Sequence, residues 1–194
     1  MKTRLQTVLV ALFCIGFLGT GGAQESGSKP IQISLFAPAQ LVDETYSIHG
    51  LRLNFIYGKN KDVYGLDIGL CQKNTGTVKG MQYGVVNLVD GDFSGYQDGW
   101  FNRVGQNFRG LQGSLVNLNY GITYGAQFGL FNYTKEGKGL QWGWVNNSEK
   151  FGGLQLGLIN AATRLKGIQI GFLNFIWEGD GLPFFPIING RFEY

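Results

Sequence analysis

GLQLGLIN, at residues 153–160, is followed 14 residues later by GIQIGFLN, at 167–174. Upstream the same phrase recurs as GLQWGWVN from Gly139, GAQFGLFN from Gly125, GLQGSLVN from Gly110 and GYQDGWFN from Gly95. Three earlier copies, GMQYGVVN from Gly80, GLDIGLCQ from Gly65 and GLRLNFIY from Gly50, extend the series. The leading glycines lie 15 residues apart from Gly50 to Gly125 and 14 apart from there to Gly167. A degenerate copy, GLPFFPIIN, begins at Gly181. Seven consecutive copies hold Gln in the third position, from Gln82 to Gln169, and Asn in the eighth, from Asn87 to Asn174. A fixed period of this length marks a repeat architecture, in which no copy buries its own surface alone.

Inside a copy the period is two. Leu154, Leu156 and Leu158 alternate with Gly153, Gln155 and Gly157, the mark of a strand with one apolar face. Between copies run KNKD, KNTG, VDGD and NSEK, turn compositions in which Gly and Asn accept positive φ and charges stay in water. Composition agrees with this. Glycine fills 32 of 194 positions, and each would cost a helix about 1 kcal/mol relative to alanine. Aromatics at 14% and charged residues at 15% do not describe a disordered chain. The fold expected is all-β.

Two closures compete. Each copy, taken as one strand of about ten residues plus a turn, extends about 33 Å, or roughly 25 Å of height when tilted, which fits the apolar band of an outer-membrane barrel. The ending INGRFEY, with alternating Phe192 and Tyr194, is in keeping with a last barrel strand. The expectation is therefore an up-and-down antiparallel meander, closed as a β-barrel. The alternative is a β-solenoid, with parallel coils that stack like residues into ladders. The aligned Asn and Gln favour the alternative. So do Asp98 and Gly113 on the supposed lipid face, and a strand count of eleven once ISLFAPAQ at 33–40 is added, where bacterial barrels use even numbers.

Residues 1–23, MKTRLQTVLVALFCIGFLGTGGA, carry Lys2 and Arg4, then an apolar run from Val8 to Leu18, then Gly21 and Ala23. This is the order of a secretory signal peptide, and the run is too short to span a bilayer as a helix. Residues 24–194 then form one β-repeat domain, with regular repeats over about 50–190. Without Lys2 and Arg4 the chain keeps 14 of its 16 basic residues against 13 acidic ones. No basic stripe for nucleic acid results. Cys71 is the one cysteine outside the leader, so no internal disulfide is expected.

No catalytic, cofactor-binding or metal-binding residue is assigned, and no cofactor is expected. His49 is the only histidine and reads as a turn residue. Asp90 and Asp92 in VDGD lack the other ligands of a calcium loop. Trp100, Trp142, Trp144 and Trp177 are expected to pack in the sheet against glycines of neighbouring copies. Asn132-Tyr133-Thr134 and Asn146-Asn147-Ser148 match a glycosylation pattern, yet both fall on the asparagine of the repeat and read as structural.

The copies GLQLGLIN and GIQIGFLN, with the flanks ISLFAPAQ and LPFFPIING, resemble a family of bacterial surface-repeat proteins known from spirochaetes and Bacteroidota. The likeness covers about residues 31–192. It implies an exported protein of the cell surface or outer membrane and brings no catalytic residues. A polyhydroxyalkanoate synthase label on some relatives has no support here: Gly69-Leu70-Cys71-Gln72-Lys73 lacks the closing glycine of a Gly-x-Cys-x-Gly elbow. The function expected is non-enzymatic, structural or adhesive, with outer-membrane or cell-surface components as partners. The rival is a small outer-membrane barrel that binds or passes a ligand.

Overall fold

The computed structural model describes residues 27–180 and 182–192, and every regular element among them is a strand. The expected signal peptide lies outside the described residues. The strands are β1 (Ser28–Phe36), β2 (Ala39–Gln40), β3 (Ser47–Asn60), β4 (Val63–Asn74), β5 (Val78–Val89) and β6 (Phe93–Asp98), then β7 (Phe101–Val104), β8 (Phe108–Gly113), β9 (Val116–Leu156), β10 (Ile159–Ile176) and β11 (Phe184–Arg191). They form one sheet in the order β11-β10-β9-β8-β6-β5-β4-β3-β1-β2, with β7 between β5 and β9.

Successive copies pair in parallel and in register. Gly50 lies opposite Gly65, Gly65 opposite Gly80, Gly95 opposite Gly110 and Gly153 opposite Gly167. Asn146 lies opposite Asn160, and Gln155 opposite Gln169. The chain is a β-solenoid. This corrects the meander, whose neighbouring copies would run antiparallel, and the barrel, since the outermost strands β11 and β2 do not meet.

The correction has a local cause. A copy is not one strand but two, with a corner between them. In the copy at Gly95, β6 ends at Asp98, Gly99 and Trp100 turn, and β7 begins at Phe101. Counting the leading glycine as position 1, Gln at position 3 and Asn at position 8 are five residues apart. On one flat strand an odd separation would send them to opposite faces. Both are fully buried, Gln82 and Asn87 alike. Only a bend between them allows that.

Glycine permits the tight stack. The leading glycines have φ between +131° and +152°, which L side chains rarely adopt. A Cβ there would also collide with the carbonyl of the leading glycine one coil earlier. At position 5, a Cβ on Gly157 would lie 2.6 Å from Asn146 Nδ2 and 3.0 Å from Asn160 Oδ1.

The interior is narrow and mostly polar. Apolar side chains fill only the rows flanking the turns. One cluster joins Ile48, Val63, Val78, Val89, Phe93, Val104 and Phe108, with the Phe93 and Phe108 rings stacked 5.4 Å apart. A second joins Phe151, Ala162, Leu165 and Ile176. Between the clusters Thr134 Oγ1 meets Thr123 Oγ1 at 2.7 Å, and Asn119 Nδ2 donates to Thr123 Oγ1 at 3.1 Å.

The ends depart from the repeat. Pro30-Ile31-Gln32-Ile33-Ser34 on β1 registers parallel with β3, Gln32 opposite Arg52, so the repeat runs one coil further upstream than its leading glycines show. Beyond Ile176 the chain reverses. β11 pairs antiparallel with β10, Gly167 opposite Arg191 and Phe175 opposite Phe184. β11, which holds most of the degenerate copy GLPFFPIIN, is thus a cap and not a tenth coil, and it covers backbone groups of the last one.

Candidate functional site

The inside of the solenoid is chemically spent. Each row Gln from Gln97 onward donates to the one before it: Gln97 to Gln82 at 2.7 Å, Gln127 to Gln112 at 3.0 Å and Gln169 to Gln155 at 2.8 Å. The Asn row runs the other way, Asn87 to Asn102 at 2.7 Å, Asn132 to Asn146 at 2.9 Å and Asn160 to Asn174 at 2.8 Å. The second N–H of each Asn clamps a corner carbonyl of the next coil, as Asn146 does Leu156 O at 2.8 Å. Buried amides are tolerated only when paired in this way. The Gln row ends at Asp67, which accepts from Gln82 at 2.8 Å and from both Arg52 Nε and Nη2, at 2.7 and 2.6 Å. Arg52 and Asp67 are both fully buried.

With Gln and Asn inside, the alternating apolar residues stand outside. Among the described residues 32 large apolar or aromatic side chains are exposed, against 13 buried hydrophobic ones. The solenoid therefore presents its oil to its surroundings. The exposed set concentrates at positions 4 and 6, with position 2 mostly half-buried. Position 6, at the corner, holds Leu70, Trp100 at 65% exposure, Leu115, Leu130, Trp144 at 61%, Leu158 and Phe172 at 76%. An open apolar groove runs between Phe128, Leu130, Trp142, Trp144 and Leu158, floored by Gly129, Gly143 and Gly157. Trp100, Trp142, Trp144 and Trp177 are all exposed, which corrects the expectation that they pack into the sheet.

The residues weighed for chemistry are scattered. His49 is exposed and edge-on to Tyr64, ring centroids 4.7 Å apart. Cys71 is half-buried at position 7, beyond the corner and opposite Tyr57 and Val86. The two do not form a dyad. Asp92 accepts from the backbone and side chain of Asn107, at 2.9 and 3.0 Å. Asp90 meets Lys73 at 2.5 Å and Arg103 at 3.2 Å. Burial pushes its carboxyl up, but the two cations outweigh that and hold it below the ordinary range. Both aspartates are turn fasteners. Among the described residues no group of three or more His, Cys, Asp or Glu is placed to hold a metal. Asn132 and Asn146 are fully buried rungs of the ladder, so the glycosylation pattern falls on side chains facing inward.

What sequence reasoning missed is the corner within each copy, and the signal was present: the odd spacing between Gln and Asn forces it. The candidate functional feature is the outer apolar face. No helix among the described residues is long and apolar enough to cross a membrane. Neither a family model, nor a curated protein, nor a solved structure matches the chain.

Proposed function

We propose that this is an exported, non-enzymatic repeat protein of the bacterial surface, structural or adhesive in role. The observation that carries it is the exposed apolar face: a monomer's largest patch rarely exceeds a few hundred Å² unless it meets something. The signal-peptide pattern at 1–23 and the resemblance of the repeats to surface-repeat proteins support the location. Two further features favour binding over turnover. From Gln97 onward the buried Gln and Asn side chains are engaged with one another along the ladders, and His49, Cys71 and the aspartates do not converge. Outer-membrane or cell-surface components are the partners this reading calls for. Cell fractionation tests it: the chain is expected in the envelope fraction, with its leader removed. A full-length chain soluble in the cytoplasm would end the proposal.

A further inference from the structure

Resting on that reading, the structure carries a more specific one. Position 2 holds the half-buried Leu66 and the exposed Met81 and Leu111, position 4 Tyr83, Phe128 and Trp142 but Asp98 and Gly113 in the two coils between, and position 6 the corner residues. Nine copies at about 4.8 Å per strand make these rows about 40 Å long, and four residues of strand make them about 13 Å wide. The patch, about 500 Å², reaches the top of the range for a monomer.

Its border carries mostly cations, with Asp92 beside them in the groove that Lys79 and Arg109 line. The row one residue before each leading glycine includes Lys79, Arg109, Lys138 and Lys166, with Tyr64 and Tyr124 among them. Lys79 sits 5.6 Å from the Tyr64 ring centre and Arg109 5.8 Å from that of Tyr124. Among the described residues no carboxylate is in salt-bridge range of Lys79, Arg109 or Lys138. Most acids lie elsewhere, Asp90 and Glu136 being bound to Lys73, Arg103 and Lys150; Asp98, half-buried at position 4, is the one carboxylate on the face itself. One corner of the coil is thus apolar and the other wet, with cations and tyrosines between.

That order matches the cross-section of a lipid interface: apolar chains in the acyl boundary, Tyr and Trp at headgroup level, and Lys and Arg toward anionic phosphates. The groove around Trp142 and Trp144 argues against a glycan, since its lining offers no side-chain hydrogen-bonding group except the indoles. We infer that the face formed by positions 2, 4 and 6 lies on an anionic lipid bilayer. It rests on the surface and does not span, because the charged turns hold the opposite corner in water.

Vesicle flotation of the purified exported chain tests this, with phosphatidylcholine vesicles against the same lipid mixed with phosphatidylglycerol. The chain should float with the anionic vesicles, less so as salt rises, and brominated acyl chains should quench its tryptophan fluorescence. Lys79→Gln/Arg109→Gln should weaken binding about thirtyfold. Trp142→Ser/Trp144→Ser should weaken it without changing the salt dependence. Circular dichroism reports whether each variant keeps the strand fold, and the unmodified chain carries the result by itself if one does not. No flotation with either vesicle by a folded chain would overturn the inference, and so would a stable dimer with shielded tryptophans. An exported chain that fails to float defeats the lipid inference alone, whereas a cytoplasmic location defeats the surface reading.

Discussion

The first coils and the last ones solve the same stacking problem by different means. From Gly50 to Gly125 the copies are 15 residues long, with three residues per turn, such as Asp90-Gly91-Asp92, except after β3, where Lys61 and Asp62 suffice. There, side chains cap backbone: Asp62 Oδ1 accepts from Thr77 N at 2.7 Å, and Asn107 Oδ1 accepts from Ile122 N at 3.2 Å. From Gly125 onward the copies lose one turn residue, while ion pairs fasten turns in both regions, Lys73 to Asp90 at 2.5 Å and Lys150 to Glu136 at 2.8 Å. The interiors differ as well. The last coils hold continuous neutral ladders. The first ones hold a buried ion pair, a bulge between Asn54 and Tyr57, and buried groups without partners on Gln72, Asn74 and Asn87. The direction of the ladders explains the ion pair. A row of amides all donating toward the N-terminus needs an acceptor with spare lone pairs at that end. Asp67 supplies it, and Arg52 cancels the charge. At the other end Gln169 Oε1 simply goes without a partner.

The comparison breaks most visibly at Asp67. Asp67→Ala leaves Arg52 buried and unpaired, and should cost about 3–5 kcal/mol by chemical denaturation. Arg52→Gln/Asp67→Gln, which writes the later copies' row into the first ones, should recover most of that loss. A double variant as unstable as the single would show that the charge itself is needed. Within the row, Gln127→Leu orphans a donor on Gln141 and weakens the pairing of Gln112, so about 2–3 kcal/mol is expected. The same change at Gln169 orphans no donor, since its own oxygen is unpartnered, and removes only its donation to Gln155 and Phe175, so a smaller loss of about 1–2 kcal/mol is expected. Equal losses at the two sites would refute the polarity of the ladder.

Gly157→Val probes the tight coils. Its Cβ has nowhere to go between Asn146 and Asn160, and overpacking of about 1–3 kcal/mol is expected from the melting midpoint. In the copy at Gly110 the equivalent position is Ser114, whose hydroxyl donates to Asn117 Oδ1 at 2.7 Å. Ser114→Gly should therefore be mildly destabilising, the reverse of what a free glycine site would give.

Much of this was legible in the sequence, and the reasons for the remainder are physical. The repeat, the strand-and-turn alternation and the equivalence of Gln and Asn positions could be read directly, because side-chain period and turn chemistry are local. Closure could not, because a ten-residue apolar alternation serves a barrel wall and a solenoid side equally well. The corner at Gly99-Trp100 was hidden for a similar reason: nothing local separates a Gly-aromatic pair inside a strand from one at a bend. Pro30-Ile31-Gln32-Ile33-Ser34 escaped notice since proline stands where the glycine should be. The ion pair of Arg52 and Asp67 was visible only as two departures from Gln, and nothing local says that they face each other.

The smallest expected effect lies in the turns. The Lys150 ammonium beside Glu136 holds its carboxyl below the usual range, and Lys73 and Arg103 together do so for Asp90. A lowered folded-state pKa adds stability above the unfolded carboxylate range and loses it as pH falls through the folded value. Melting midpoints should thus drop slightly on acidification through that range. Lys150→Gln should flatten the dependence, and an unchanged slope would show that the exposed pair contributes nothing.

The parallel stack itself is tested most directly by distances among Lys79, Ser94 and Arg109, which the structure places side by side on successive coils. Spin labels on cysteines at these positions, with Cys14 and Cys71 replaced, report pairwise separations. Parallel coils predict backbone spacings of about 5 Å for 79–94 and for 94–109, and about 10 Å for 79–109. An antiparallel meander would give roughly 25 Å for both adjacent pairs and a short distance only for 79–109. That second pattern would contradict the solenoid.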